Sequence, residues 1–250
     1  MNKTFFMTMG AVLIAASLGC QPLPKKTEAV NPGTSNQIGT AHALMIGAYQ
    51  KQATVAELPQ YGNFGIGVAE NLNGELIMLD GELYQASVGD ELQKPESSLG
   101  IPFMTMCHFE SERTWPITKT ITYADLEKLM DAQVVNPEHV SAIKISGTFD
   151  TVRYRCLSLT QNYVPYTDAV KQEHIYENDN VKGTLVGFFF PPFFGDINFK
   201  RYTFHFIQDD VRHGGHLIDC KLRTGKIEMM QLRDLYVKTG DVQPPLASPR

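Results

Sequence analysis

Apolar and polar positions alternate along much of the chain, and that alternation predicts strands more often than helices. ELIMLD at residues 75–80 is an apolar run that ends in the turn pair Asp80-Gly81, and residues 82–86 return, so the segment reads as a hairpin. Residues 101–109 alternate loosely, as a further strand. In residues 142–149, Ile143, Ile145 and Gly147 alternate with Lys144 and Ser146, and residues 152–159 are expected as a neighbouring strand. An apolar strand at 185–190 stops at Pro191-Pro192. Residues 202–207 and 215–220 flank Asp209-Asp210 as two arms of one hairpin, and 227–232 read as a last strand. Residues 44–49 suit an early helix or strand, and the three glycines of QYGNFGIG at 60–67 imply turns or close backbone approach. The clearest helix spans residues 122–130, capped by Thr122 with Asp125 three positions on, and striped by Leu126, Leu129 and Met130. With no βαβ rhythm, the predicted fold class is α+β: two sheet-rich subdomains of mixed or antiparallel sheet with few helices.

The ends differ from this body. Residues 1–20 carry Lys3, an apolar stretch from Phe5 to Leu18, and Ser17-Leu18-Gly19-Cys20. That is signal-peptide architecture, and its ending resembles a bacterial lipoprotein signal in which Cys20 takes the lipid. It predicts an exported protein of the cell envelope, anchored to the membrane through Cys20. Residues 21–38 are polar and rich in Pro, Gly and Ser, as a tether would be. A main domain is expected over 39–238, its two subdomains meeting near 150–180. Residues 239–250, with Pro-Pro and Ser-Pro pairs, predict an extended tail.

Composition narrows the function. Of 250 residues, 43% are hydrophobic and 20% charged, enough apolar content to build a core. The formal net charge of −5, with no dense Lys/Arg block, argues against nucleic acid as a partner. Nothing matches a repeat, a glycine-rich phosphate loop or a serine nucleophile elbow. Beyond Cys20 only Cys107, Cys156 and Cys220 remain, so at most one disulfide can form among them and the chain is not a cysteine-stapled scaffold.

The chemistry concentrates in FKRYTFHFIQDDVRHGGHLIDC, residues 199–220. Strand periodicity puts Thr203, His205 and Ile207 on one face and Phe204 and Phe206 on the other. If the turn centres between Asp210 and Val211, His205 stands opposite His216, while His213 points away. Gly214-Gly215 removes two side chains beside that pair. On spacing alone the two histidines fit either a metal site or an ordinary surface or core pair.

The same segments resemble the alpha-acetolactate decarboxylases. YGNFGIG, NGELIMLDGELYQ at 73–85, AIKISGTF followed by the Arg155 segment, GTLVGFFFP at 183–191 and YTFHFIQDD…GGHLID at 202–219 carry the likeness in order and spacing. The resemblance implies a two-domain, sheet-rich α+β protein, a homodimer, with one Zn2+ per site. It implies metal-dependent decarboxylation of 2-acetolactate, a small 2-hydroxy-3-keto acid, to acetoin and carbon dioxide. It assigns the metal to His205 and His216, with Thr203 at the position of a third histidine, and catalytic roles to Glu75 and Arg155. Two departures follow. Thr203 is a weak ligand beside imidazole, which leaves zinc on two histidines plus Glu75; and the family's tail glutamate has no counterpart after Asp241. These departures open the alternative of an impaired or repurposed homologue that binds a small ligand.

Overall fold

The computed structural model describes residues 31–240 except 90, 135 and 161–163. The expected signal segment, Cys20 and most of the tail lie outside the described residues. The first half holds β1 (Thr34–Ile38), α1 (Ala41–Met45), β2 (Ala53–Thr54), β3 (Phe64–Val68), β4 (Glu75–Leu79), β5 (Glu82–Ala86), β6 (Leu92–Gln93), β7 (Gly100–Ile101) and β8 (Phe103–Cys107). Next come β9 (Arg113–Ile117), β10 (Ile121–Thr122), α2 (Tyr123–Asp131) and β11 (Val140–Cys156). The chain continues through α3 (Tyr166–Ala169), β12 (His174–Phe190), β13 (Arg201–Gln208), β14 (Gly214–Leu232) and β15 (Asp234–Lys238).

Two large sheets result, consistent with the α+β expectation, and β2 and β7 pair as a small third one. The first has the order β15-β1-β8-β3-β4-β5-β6, with only β1 and β15 parallel. In the second, β11, β12, β13 and β14 pair in succession, β14 also pairs with β11, and the four long strands close on themselves. Short β9 and β10 also pair with β14.

Strand alternation sorts the cores. On β12, Leu185 and Phe189 join Ile143, Ile145, Phe149 and Phe206 in one cluster, capped by Leu126 and Met130 of α2. Val186, Phe188 and Phe190 point the opposite way, and meet Phe64, Ile66 and Ile77 of the first sheet. The strands that separate these clusters are buried on both faces, which explains runs such as GFFF at 187–190. Thr122 caps α2 by accepting a hydrogen bond from the Asp125 amide, as its sequence predicts.

Four boundaries differ from the sequence reading. Residues 34–38 are not tether: they form β1, and buried Gln37 accepts hydrogen bonds from Thr105 Oγ1 at 2.7 Å and Asn198 Nδ2 at 2.6 Å. Polar residues in this strand made it look solvated. Residues 142–149 and 152–159 are not neighbours, because β11 runs through both; a register irregularity around Phe149–Thr151 takes the place of a turn. Likewise 215–220 and 227–232 belong to one strand, β14. The expected boundary near 150–180 falls inside the second sheet, whose adjacent strands β11 and β12 flank it. The change of sheet comes instead between β8 and β9.

Phe206 is fully buried, with its ring 5.7 Å from Phe149 and 5.6 Å from Tyr154. Phe206→Ala is expected to cost about 3–5 kcal/mol of unfolding free energy in urea titrations; a loss below about 1 kcal/mol would contradict this packing.

Candidate active site

The hairpin of β13 and β14 has the register its spacing predicts: His205 pairs with His216. His216 also pairs with Arg155 of β11 on its other side. Directly paired residues project to the same face of a sheet, so Arg155, His216 and His205 form one row across three strands. This row depends on an irregularity. Arg153 pairs with Asp219 and Tyr154 with Leu217, so β14 carries one additional residue there, and that residue brings Arg155 opposite His216. Gly215 permits the approach, since a Cβ there would collide with the carbonyl oxygen of Arg155.

The first sheet supplies the facing wall. Gly74, at φ +95, turns the chain into β4, and Glu75 shares the face of Ile77, which packs toward the second sheet. Glu75 is only 3% exposed, against the solvent-facing position ordinary for a glutamate at the start of a strand. Its Oε2 lies 3.6 Å from His205 Nε2, and His205 Nε2 lies 3.3 Å from His216 Nδ1. One ligand atom each from Glu75, His205 and His216 falls within 4.8 Å of the others. Thr203, two residues before His205 on the same face of β13, borders the same cavity. Leu44, Ile66, Val68, Phe103, Phe188 and Phe190 give this cavity its apolar walls.

The electrostatics follow from burial. His205 Nδ1 lies 2.9 Å from the carbonyl oxygen of Leu76, an acceptor only, so Nδ1 carries the hydrogen and Nε2 presents its lone pair to the site. Burial lowers the His205 pKa to about 3; the Leu76 bond opposes that shift and the Arg155 charge adds to it. His216 is also held well below its ordinary value by burial, then by Arg155 and His205. Glu75 is pushed up to about 7 by burial, with Arg155 pulling down and Glu173 pushing up. Its Oε1 is buried with no hydrogen-bond partner.

Two neutral imidazoles and a carboxylate with a bare oxygen form a donor set that fits a divalent cation. A cation here would replace the hydrogen bonds these groups lack. The converging protein donors therefore include Glu75, to which the sequence reading gave a catalytic role and which it also allowed as a ligand beside the two histidines, with Thr203 at the third ligand position.

Further polar residues at the site had no sequence signal. Tyr166, Thr105 and Asn198 border the cavity. Asn198 Nδ2 donates to Thr105 Oγ1 at 2.6 Å, and both bond Gln37. Glu173 Oε2 stands 3.1 Å from Arg155 Nη1, an ion contact without hydrogen-bond alignment. Arg155, 8% exposed, belongs to the buried set, whereas Arg153 is exposed.

The family model described as alpha-acetolactate decarboxylase matches residues 36–243. The chain belongs to the alpha-acetolactate decarboxylase family. It is 32% identical to the alpha-acetolactate decarboxylase of Methanosarcina mazei over 190 residues, 76% of this chain and 66% of that one. Identity to the Bacillus subtilis enzyme of the same name is 32% over 203 residues, 81% of this chain and 80% of the relative. The crystal structure of the B. subtilis strain 168 protein superposes with a TM-score of 0.82, covering 86% of this chain and 94% of that one. The protein is thus an enzyme of the acetolactate decarboxylase type, on that family's sheet-rich fold.

Family membership corrects the expected location. The exported, lipid-anchored reading rested on residues 1–20 alone. The family match begins at residue 36, and the matched relatives are named as decarboxylases without reference to export or an anchor. No helix among the described residues is long and apolar enough to cross a membrane. The envelope assignment is withdrawn.

The displaced ionisations predict a pH dependence of stability in metal-free protein. An acid raised in the fold, as Glu75 is from 4.5 to about 7, costs stability as pH rises through that window. A histidine lowered in the fold, as His205 is from 6.5 to about 3, costs stability as pH falls through its own. Glu75→Gln should therefore stabilise metal-free protein at pH 8 by about 3 kcal/mol, with the gain vanishing as pH approaches the ordinary carboxylate range. Urea titrations at several pH values read this directly, and identical stabilities for both proteins at pH 8 would contradict it.

Proposed function

We propose that the chain decarboxylates 2-acetolactate to acetoin and carbon dioxide, with zinc held by Glu75, His205 and His216. The observation that carries this reading is the convergence of those three side chains on an apolar-walled cavity, with Arg155 paired beside His216. The two histidines are neutral and so offer lone pairs. When bound, zinc supplies positive charge that draws electron density from the hydroxyl and ketone oxygens of the substrate.

The protein's own groups do the rest. Arg155 meets the substrate carboxylate with a charge that does not titrate, and orients the bond to be broken. As that carbon–carbon bond breaks, its electron pair stays with the hydroxyl-bearing carbon and spreads toward the neighbouring ketone. Carbon dioxide leaves neutral, and the carbon takes a proton. Glu75 Oε1, buried and without a protein partner, is the oxygen at hand to carry that proton. Phe103, Phe188 and Phe190 give the cavity apolar walls, and a low-polarity surround strengthens each of these charge interactions. Thr203 adds a hydroxyl to the same wall, where the resemblance implies a third histidine.

Purified protein is expected to contain one zinc per chain and to release carbon dioxide from 2-acetolactate, with activity removed by chelation and restored by zinc. His205→Ala should lose the metal and at least about 100-fold in kcat/KM, no less than substitutions outside the first ligand shell typically cost. A His205→Ala protein that keeps both metal and full activity would overturn the assignment. Thr203→His should tighten zinc in competition with a chromophoric chelator; unchanged affinity would show that position 203 does not face the metal.

A further inference from the structure

Tyr166, the first residue of α3, borders the cavity together with Glu75, Thr203, His205 and His216. Its hydroxyl lies beside the guanidinium of Arg155. A guanidinium has only donors, so toward it the phenol can offer only its oxygen, and its own hydrogen is left able to donate. Arg155 Nη1, in the same place, is a buried donor with no aligned acceptor. Two donors therefore stand side by side, one charged and one neutral, and what would satisfy both is an anion with two oxygens. The ring is held in position by its neighbours: it stacks on Phe199 at 6.0 Å and packs against the buried cluster that contains Leu44, Tyr49 and Phe103. Glu173 restrains the guanidinium through its ion contact at Nη1.

We propose that Tyr166 is a substrate-binding residue of this enzyme, whose hydroxyl donates to the substrate carboxylate beside Arg155 and selects anionic 2-hydroxy acids over neutral 2-hydroxy ketones. The inference rests on the decarboxylase reading and adds the residue that recognises the departing group. It also gives the site an asymmetry: donors for the carboxylate at one end, and ligands for the hydroxyl and ketone oxygens at the other. Acetoin lacks the carboxylate, so the Tyr166–Arg155 end does not hold the product.

The test is calorimetric titration of the zinc-loaded full chain with 2-hydroxyisobutyrate, an acid with no ketone to support decarboxylation, and with acetoin. Tyr166→Phe keeps the ring and removes the hydroxyl. It should raise the Kd for 2-hydroxyisobutyrate about tenfold or more, as loss of a hydrogen bond to a charged group does, and leave the Kd for acetoin within about twofold. The same change made in an Arg155→Gln background should still weaken the acid. If its effect vanishes there, Tyr166 merely steadies Arg155 and the proposal fails. Equal weakening of both ligands, or of neither, also overturns it while leaving the decarboxylase reading intact. Wild-type protein that binds neither ligand would overturn both.

Discussion

The site depends on the burial of ionisable groups that the protein does not neutralise for one another. Glu75 and His205 are each 3% exposed and lie between two sheets, and the nearest partners of His205 Nε2 are a carboxylate oxygen and another imidazole nitrogen. Low polarity holds both histidines neutral and raises the Glu75 carboxyl, so in metal-free protein the cluster is a cost to stability. A divalent cation reverses the sign of that cost. The fold therefore stores at one point the interaction energy that a metal ion would release, and the surrounding apolar contacts offset the cost.

The two sheets make this possible because each contributes one wall by simple alternation. On β13, residues 203, 205 and 207 face the first sheet, while Tyr202, Phe204 and Phe206 fill the core behind. On β4, Glu75 and Ile77 face the second sheet, while Leu76 and Met78 pack away from it. The same pleat thus places both a core residue and a functional residue on the site side of each strand. The Leu76 carbonyl, one residue beyond Glu75, then fixes the tautomer of His205. Side chain and backbone of a single short strand act on the same histidine.

Much of this was legible in the sequence. The hairpin register that sets His205 against His216 followed from a turn midpoint and a period of two, and β4, β5 and α2 followed from turn pairs, alternation and a capping box. What pattern could not reveal was pairing that depends on irregularity or on distant partners. The extra residue in β14 that turns Arg155 toward His216 has no local mark. Buried Gln37 in β1 reads as polar tether until Thr105 and Asn198 are seen to satisfy it. Tyr166 and Glu173 lie in a polar stretch with no periodicity, and only the tertiary fold brings them to Arg155. Resemblance supplied Glu75 and Arg155 as candidates; geometry added that Glu75 converges with the histidines.

That convergence is also how the chain accommodates Thr203. With a hydroxyl at that position, the donors that meet are two imidazoles and one carboxylate, a set that leaves positions open for a chelating substrate. The most direct test is an X-ray structure of zinc-soaked crystals with anomalous data at the zinc edge. The expected result is one strong peak per chain, bonded to Glu75, His205 and His216 at about 2.0–2.2 Å. A peak that excludes Glu75, or no peak among these residues at saturating zinc, would contradict the account.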